Sequence, residues 1–143
     1  DAILQASGVL ARPGVGMHVG HRVAIGAQSF LGGQGGIEIG DDTIMGPGVR
    51  VFSEEHVYED PDVPIRLQGE RRSRVVIGAN CWIGANATIL SGTHLGPGCV
   101  VAAGAVVKGT FAENSLIVGV PGRTLRCRVP EPRNVHVVPG TRC

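Results

Sequence analysis

Aliphatic residues recur at every sixth position along much of this chain. From Ile77 they fall at Ile83, Ile89, Leu95, Val101 and Val107 without a miss. Two positions before each stands a small or modest side chain: Val75, Cys81, Ala87, Thr93, Cys99 and Ala105. Glycine follows directly at Gly78, Gly84 and Gly96. Upstream the same frame runs through Val19, Ile25 and Leu31, slips by two, and resumes at Ile39, Met45 and Val51. Gly20, Gly26, Gly32, Gly40 and Gly46 follow those positions.

A period of six is neither the 3.6 of a helix nor the plain alternation of a flat strand. It predicts a short strand and a turn, repeated. Three such units close a triangular coil of roughly 18 residues per rung. Rungs then stack as parallel strands at the ordinary inter-strand spacing. The aliphatic residue points inward, and Gly with Asp41, Asp42, Asn80 and Asn86 marks corners where the backbone needs positive φ. One rung cannot bury its own apolar face, so neighbouring rungs must supply the stability. The pattern predicts an all-β parallel β-helix of about five rungs over residues 3–112, with a tail from about 113 to 143. By length the 143 residues read as one domain.

Composition narrows the function. The 23 glycines would suggest low complexity without the period, and aromatics are only 3%, as a narrow interior requires. Thirteen basic and 12 acidic residues leave a formal charge of +1, which gives no reason to expect nucleic acid or an anionic membrane surface. No apolar run approaches the ~20 residues of a membrane helix. The start, Asp1-Ala2-Ile3-Leu4-Gln5, lacks the basic and apolar segments of a secretory signal. With no CxxC pair among Cys81, Cys99, Cys127 and Cys143, all four are expected as reduced thiols.

The repeat breaks strongly once. Residues 52–66, Phe-Ser-Glu-Glu-His-Val-Tyr-Glu-Asp-Pro-Asp-Val-Pro-Ile-Arg, lead into a polar stretch to Arg74, and the period restarts at Val75. A loop of this length leaving a regular coil points to function. It holds His56, the only histidine in the middle of the chain.

Around that loop the chain resembles the hexapeptide-repeat O-acetyltransferases, a family that includes galactoside, maltose and polysaccharide acetyltransferases. The resemblance rests on Gly46-Pro47-Gly48-Val49-Arg50-Val51, then His56, then Asp60-Pro61, then the rung Val76-Ile77-Gly78-Ala79-Asn80-Cys81-Trp82-Ile83-Gly84-Ala85. It continues through Ala103-Gly104-Ala105-Val106-Val107 and Val118-Gly119-Val120-Pro121-Gly122-Arg123. It covers about residues 15–126.

The resemblance implies a left-handed coil, which the period alone does not fix. It implies an acetyl-CoA-dependent enzyme acting on a hydroxyl of a sugar or glycan, with His56 as general base and Glu70 as a carboxylate that holds or polarises it. It carries the coenzyme onto Trp82, Ala85 and Ala103, with Lys108, Arg123 and Arg126 toward its phosphates. The Ala85 N–H would meet the oxyanion. It further implies a homotrimer with sites between subunits and a cytoplasmic location. No metal is expected. Where the galactoside and maltose enzymes carry an Asn pair, this chain reads Gly26-Ala27-Gln28-Ser29, so the resemblance does not extend to that acceptor. Two other readings share the fold: a non-catalytic scaffold or binding protein, and an N-acetyltransferase of an amino sugar. A metal site of the γ-carbonic anhydrase kind would need three converging histidines, and His18, His21 and His94 are not spaced for it.

Overall fold

The structure, a computed structural model, describes residues 1–6 and 12–129. Three parallel sheets wrap a common interior as a left-handed β-helix. The first face stacks Met17–Val19, Ile37–Ile39, Val75–Ile77, His94–Leu95 and Thr110–Phe111. The second stacks Ala24–Ile25, Ile44–Met45, Trp82–Ile83, Val100–Val101 and Ser115–Val118. The third stacks Ile3–Gln5, Phe30–Gly32, Arg50–Phe52, Thr88–Ile89 and Val106–Val107.

The six-residue pattern becomes three inward columns. Ile39, Ile77 and Leu95 are register partners on the first face. Met45, Ile83, Val101 and Ile117 follow on the second, and Leu31, Val51, Ile89 and Val107 on the third. All are buried, as are the small residues two positions earlier, Val75, Cys81, Ala87, Thr93, Cys99 and Ala105. The slip of two is absorbed at the corner 33–36. There Gly35 has no room for a side chain, because a Cβ would press on the Ser53 carbonyl.

The corners divide two jobs that the sequence pattern merges. Positive φ falls on Asp42, Asn80 and Asn86, at 59°, 55° and 57°. The glycine after each aliphatic is instead required by crowding between rungs. A Cβ on Gly84 would lie 2.5 Å from the Ala103 backbone nitrogen, and one on Gly78 would lie 2.6 Å from that of Pro97.

The tail differs from expectation. Ser115–Val118 pairs in parallel with Val100–Val101 and so continues the coil past residue 112. Arg123–Cys127 then turns back and adds an antiparallel strand to the second face. Cys81 and Cys99 are buried free thiols, but Cys127 is disulfide-bonded, which corrects the reading of all four as reduced. That reading tested only close sequence spacing, whereas Cys127 sits on a strand outside the repeat. His136, Pro130, Pro132, Pro139 and Cys143 lie outside the described residues. Among those described, no helix is long and apolar enough to cross a membrane.

Candidate active site

The excursion leaves the corner between the third and first faces, and its mouth is fastened. The buried Ser53 hydroxyl donates to the Gly32 carbonyl at 2.6 Å and accepts from the Gly35 N–H at 2.8 Å. The Ser73 N–H donates to the Ser53 carbonyl at 2.9 Å, closing the base. Above it, Glu54–His56 and Glu70–Arg72 form an antiparallel hairpin, with the short helix Ile65–Gln68 packed on the first strand.

Register decides which side chains meet. His56 is paired with Glu70, and Glu54 with Arg72. The flanking pairs carry the ladder bonds, since the Val57 N–H reaches the Gly69 carbonyl at 3.0 Å and Ser73 reaches Ser53. Pairs alternate in an antiparallel ladder, so His56–Glu70 and Glu54–Arg72 are the non-hydrogen-bonded ones, where side chains approach closest. Alternation along each strand puts all four on one side of the hairpin. Glu55 and Arg71 project from the other side.

Ion pairs follow this division. Arg72 Nε lies 3.3 Å from Glu54 Oε2, and its Nη2 lies 3.8 Å from Glu70 Oε2. On the opposite side Lys108 Nζ reaches Glu55 Oε2 at 2.9 Å, and Arg71 Nη2 reaches Glu59 Oε1 at 2.9 Å. The Arg71 hydrogen bond holds the Glu59 carboxyl below its ordinary pKa. His56 itself is exposed. Among the described residues no hydrogen bond or ion pair engages its ring.

The residues expected to take the coenzyme occupy other parts of the same coil. Trp82 and Arg126 line one groove of about 540 Å³ on the second face, with Ile44, Val100, Leu116 and Arg128. Ala85 and Ala103 stack one rung apart at the corner between the second and third faces. Gly104 N–H donates there to the Ala85 carbonyl at 2.9 Å. The Ala85 N–H donates to no acceptor among the described residues. Arg123 begins the antiparallel strand and is exposed, donating to the Gly122 carbonyl at 2.9 Å. Lys108 stands at the same corner as the His56 hairpin. Within one chain, then, His56, Glu70 and Lys108 gather at one edge, and Trp82 and Arg126 on a separate face.

Sequence reasoning missed two arginines. Arg72 is drawn into the hairpin, and Arg128 reaches the Gly98 carbonyl at 2.9 Å along the groove. For Arg72 a signal existed: Glu54-Glu55-His56 against Glu70-Arg71-Arg72 places acid opposite base when paired antiparallel. No group of three or more His, Cys, Asp or Glu among the described residues is arranged to hold a metal ion. His18 and His94 both project from the first face, in register with Glu38 and Val76 between them.

Comparison with known proteins finds the same repeat and the same coil. Residues 74–108 match the model of the hexapeptide repeat of succinyl-transferase. The chain is 35% identical over 97 residues to the putative lipopolysaccharide biosynthesis O-acetyl transferase WbbJ of Escherichia coli, covering 63% of this chain and 50% of that one. It superposes on a maltose O-acetyltransferase of Clostridium difficile with TM-score 0.77 and 27% identity, over 91% of this chain and 65% of that one. The hexapeptide-repeat acetyltransferase VCA0836 of Vibrio cholerae, solved with acetyl coenzyme A, gives TM-score 0.72 and 27% identity, over 88% and 70%. The chain spans between 37% and 50% of the length of the first curated relatives it matches.

Proposed function

We propose, on the premise that this chain belongs to the hexapeptide-repeat family of acetyltransferases, that it moves an acetyl group from acetyl-CoA to a hydroxyl of a sugar or glycan. The observation that carries the proposal is the pairing of His56 with Glu70 on a hairpin tied at its base to a rigid coil. An exposed imidazole facing a carboxylate, on a scaffold that holds its position, is the arrangement a general base requires.

In this reading the His56 imidazole takes the proton of the acceptor hydroxyl as its oxygen attacks the thioester carbonyl. An alcohol is far too weak an acid to ionise alone at neutral pH, so this assistance contributes about 10²–10⁴ in rate. The oxyanion formed accepts from the unengaged Ala85 N–H. Collapse breaks the C–S bond, and the departing thiolate takes the proton from the imidazolium, returning His56 to its starting state.

The site is assembled between copies in a homotrimer. His56 stands at the corner between the third and first faces, whereas Trp82 and Arg126 line the second face. A neighbouring coil brings one copy's corner against another's face. Trp82 and the small residues Ala85 and Ala103 accommodate the pantetheine arm, and Arg123 and Arg126 meet phosphates. Reliance on acyl-CoA fits a cytoplasmic enzyme.

The test is thiol release from acetyl-CoA against a panel of sugars and glycans, wild type beside His56→Ala. Turnover that falls by roughly 10²-fold or more in the variant supports the reading. Undiminished turnover in His56→Ala excludes His56 as the base, and acetyl-CoA that neither turns over nor binds excludes the enzyme.

A further inference from the structure

Arg72 is a charged side chain only 10% exposed, although it belongs to a polar excursion at the surface. Its guanidinium donates to three groups and lies near a fourth. Nε meets Glu54 Oε2 at 3.3 Å, and Nη2 lies 3.8 Å from Glu70 Oε2. Nη1 donates to the Pro13 carbonyl at 2.8 Å and Nη2 to the Arg12 carbonyl at 3.0 Å. Arg12 returns the contact, its Nη1 donating to the Glu70 carbonyl at 2.9 Å. The segment 12–13 is thus clamped across the hairpin side that bears His56, and one planar guanidinium binds the Glu54 carboxylate and stands 3.8 Å from that of Glu70. A lysine, with three donors on a flexible stem, cannot reproduce this fork.

The arrangement matters for a base. A carboxylate paired directly with an imidazole favours the imidazolium, and a protonated imidazole cannot accept the hydroxyl's proton. Glu70 is opposite His56 by register, and Glu54 lies two residues away on the same side. Both negative charges would act on the ring alone if nothing else bound them. Arg72 answers both, and Arg12 adds a second positive charge. Glu55 and Arg71 lie on the far side, bound to Lys108 and Glu59, while Arg66 stands on the helix packed against the His56 strand and Asp60 and Asp62 lie in the loop before it, Asp60 bonded through its backbone to Gln68.

We infer that Arg72 is a positioning residue for His56: it hydrogen-bonds the Glu54 carboxylate, stands beside that of Glu70, and offsets their negative charge next to the imidazole. The inference rests on the reading of His56 as base, and adds a residue that acts through another without touching the acceptor or the acyl donor.

The experiment measures kcat/KM for thiol release across pH in the full chain, for wild type, Arg72→Gln, Arg72→Lys and Glu70→Gln. Loss of Arg72's charge should move the acid limb to higher pH, because two carboxylates near the ring are then left without their cation. Glu70→Gln should move it to lower pH, and Arg72→Lys should fall between wild type and Arg72→Gln. A profile lowered evenly, its limb unmoved in Arg72→Gln, overturns the inference, because a merely structural residue changes only the amount of active protein. If Arg72→Gln does not fold, Arg72→Lys decides, and a limb that stays at the wild-type position in it overturns the inference. Should His56→Ala retain wild-type turnover, the base reading fails separately. Titration of the His56 ring by NMR in the same variants then reads the electrostatic claim without reference to activity, and a midpoint indifferent to both substitutions overturns it.

Discussion

Lys108 Nζ sits 2.9 Å and 3.1 Å from the two carboxylate oxygens of Glu55, tying a rung of the coil to the excursion hairpin that left it two rungs earlier. The contact joins residues 53 apart and lies on the hairpin side opposite His56. Lys108 therefore already has an anionic partner before any phosphate arrives. Lys108→Ala should change stability by no more than ~1 kcal/mol, because the pair is largely exposed. Turnover should fall by several-fold while the acetyl-CoA Kd stays within about twofold, since the hairpin loses a tether and not the donor its site. A Kd raised tenfold with turnover at saturation intact would assign Lys108 to the coenzyme instead.

The corner glycines separate into two kinds that unfolding should distinguish. Gly84→Ala places a Cβ 2.5 Å from the Ala103 nitrogen and 2.9 Å from its Cα, and backbone cannot yield as a side-chain tip can. The rungs must part, at a cost of about 1–3 kcal/mol. Gly104 is at φ +70° with nothing within 4 Å of an added Cβ, and Asn86 fills the equivalent corner one rung earlier at φ 57°. Gly104→Asn should hence lie within ~0.5 kcal/mol of wild type, since Asn tolerates that conformation. Urea unfolding of the two variants checks the order.

Burial should make the coil thiols inert. Desolvation pushes the Cys81 thiol up to about 11, and the Cys99 thiol is raised for the same reason. At pH 8 neither supplies thiolate, which is the nucleophilic form. Iodoacetamide should leave both unmodified in the native protein and label both after denaturation. The same shift has a stability consequence. A thiol whose folded value exceeds its unfolded value of 9.0 leaves stability intact below pH 9. Between about pH 9 and 11 the unfolded chain ionises first, and stability falls. Cys81→Ala should lose less stability than wild type across that window.

The fold was legible because an inward column tolerates little variation. Each aliphatic at the sixth position contacts the same kind of residue one rung away, so the period in sequence is the contact in space. The slip at 33–36 and the excursion after Phe52 were legible as departures from it. What escaped were features with no period. The Arg72 clamp depends on antiparallel register within an irregular loop, and on residues 12–13 folding across it from far away in the chain. Arg123–Cys127 escaped because a returning antiparallel strand has no sixfold mark. His56 stood out only through its position in the excursion and its resemblance; its register with Glu70 required the hairpin.

Trp82 is the only tryptophan in the chain, and half of its surface, 54%, is open. It stands in register between Ile44 and Val100 on the outside of the second face, and Leu116 continues that line. Arg126 and Arg128 border the same groove, so an apolar strip meets two cations. An apolar arm ending in phosphates matches that order, as the proposed donor does. Intrinsic fluorescence therefore reports on this one groove alone. Acetyl-CoA should change its emission saturably, and Trp82→Ala should weaken donor binding by roughly tenfold, the loss of a ~1–2 kcal/mol aromatic contact. Arg126→Ala should weaken it as well and flatten its dependence on salt, because an exposed phosphate contact is screened. If the emission ignores saturating acetyl-CoA while thiol release proceeds, the donor lies elsewhere. The exposed strip would then be read as contact surface between copies, and Trp82→Ala should shift the sedimentation of the oligomer.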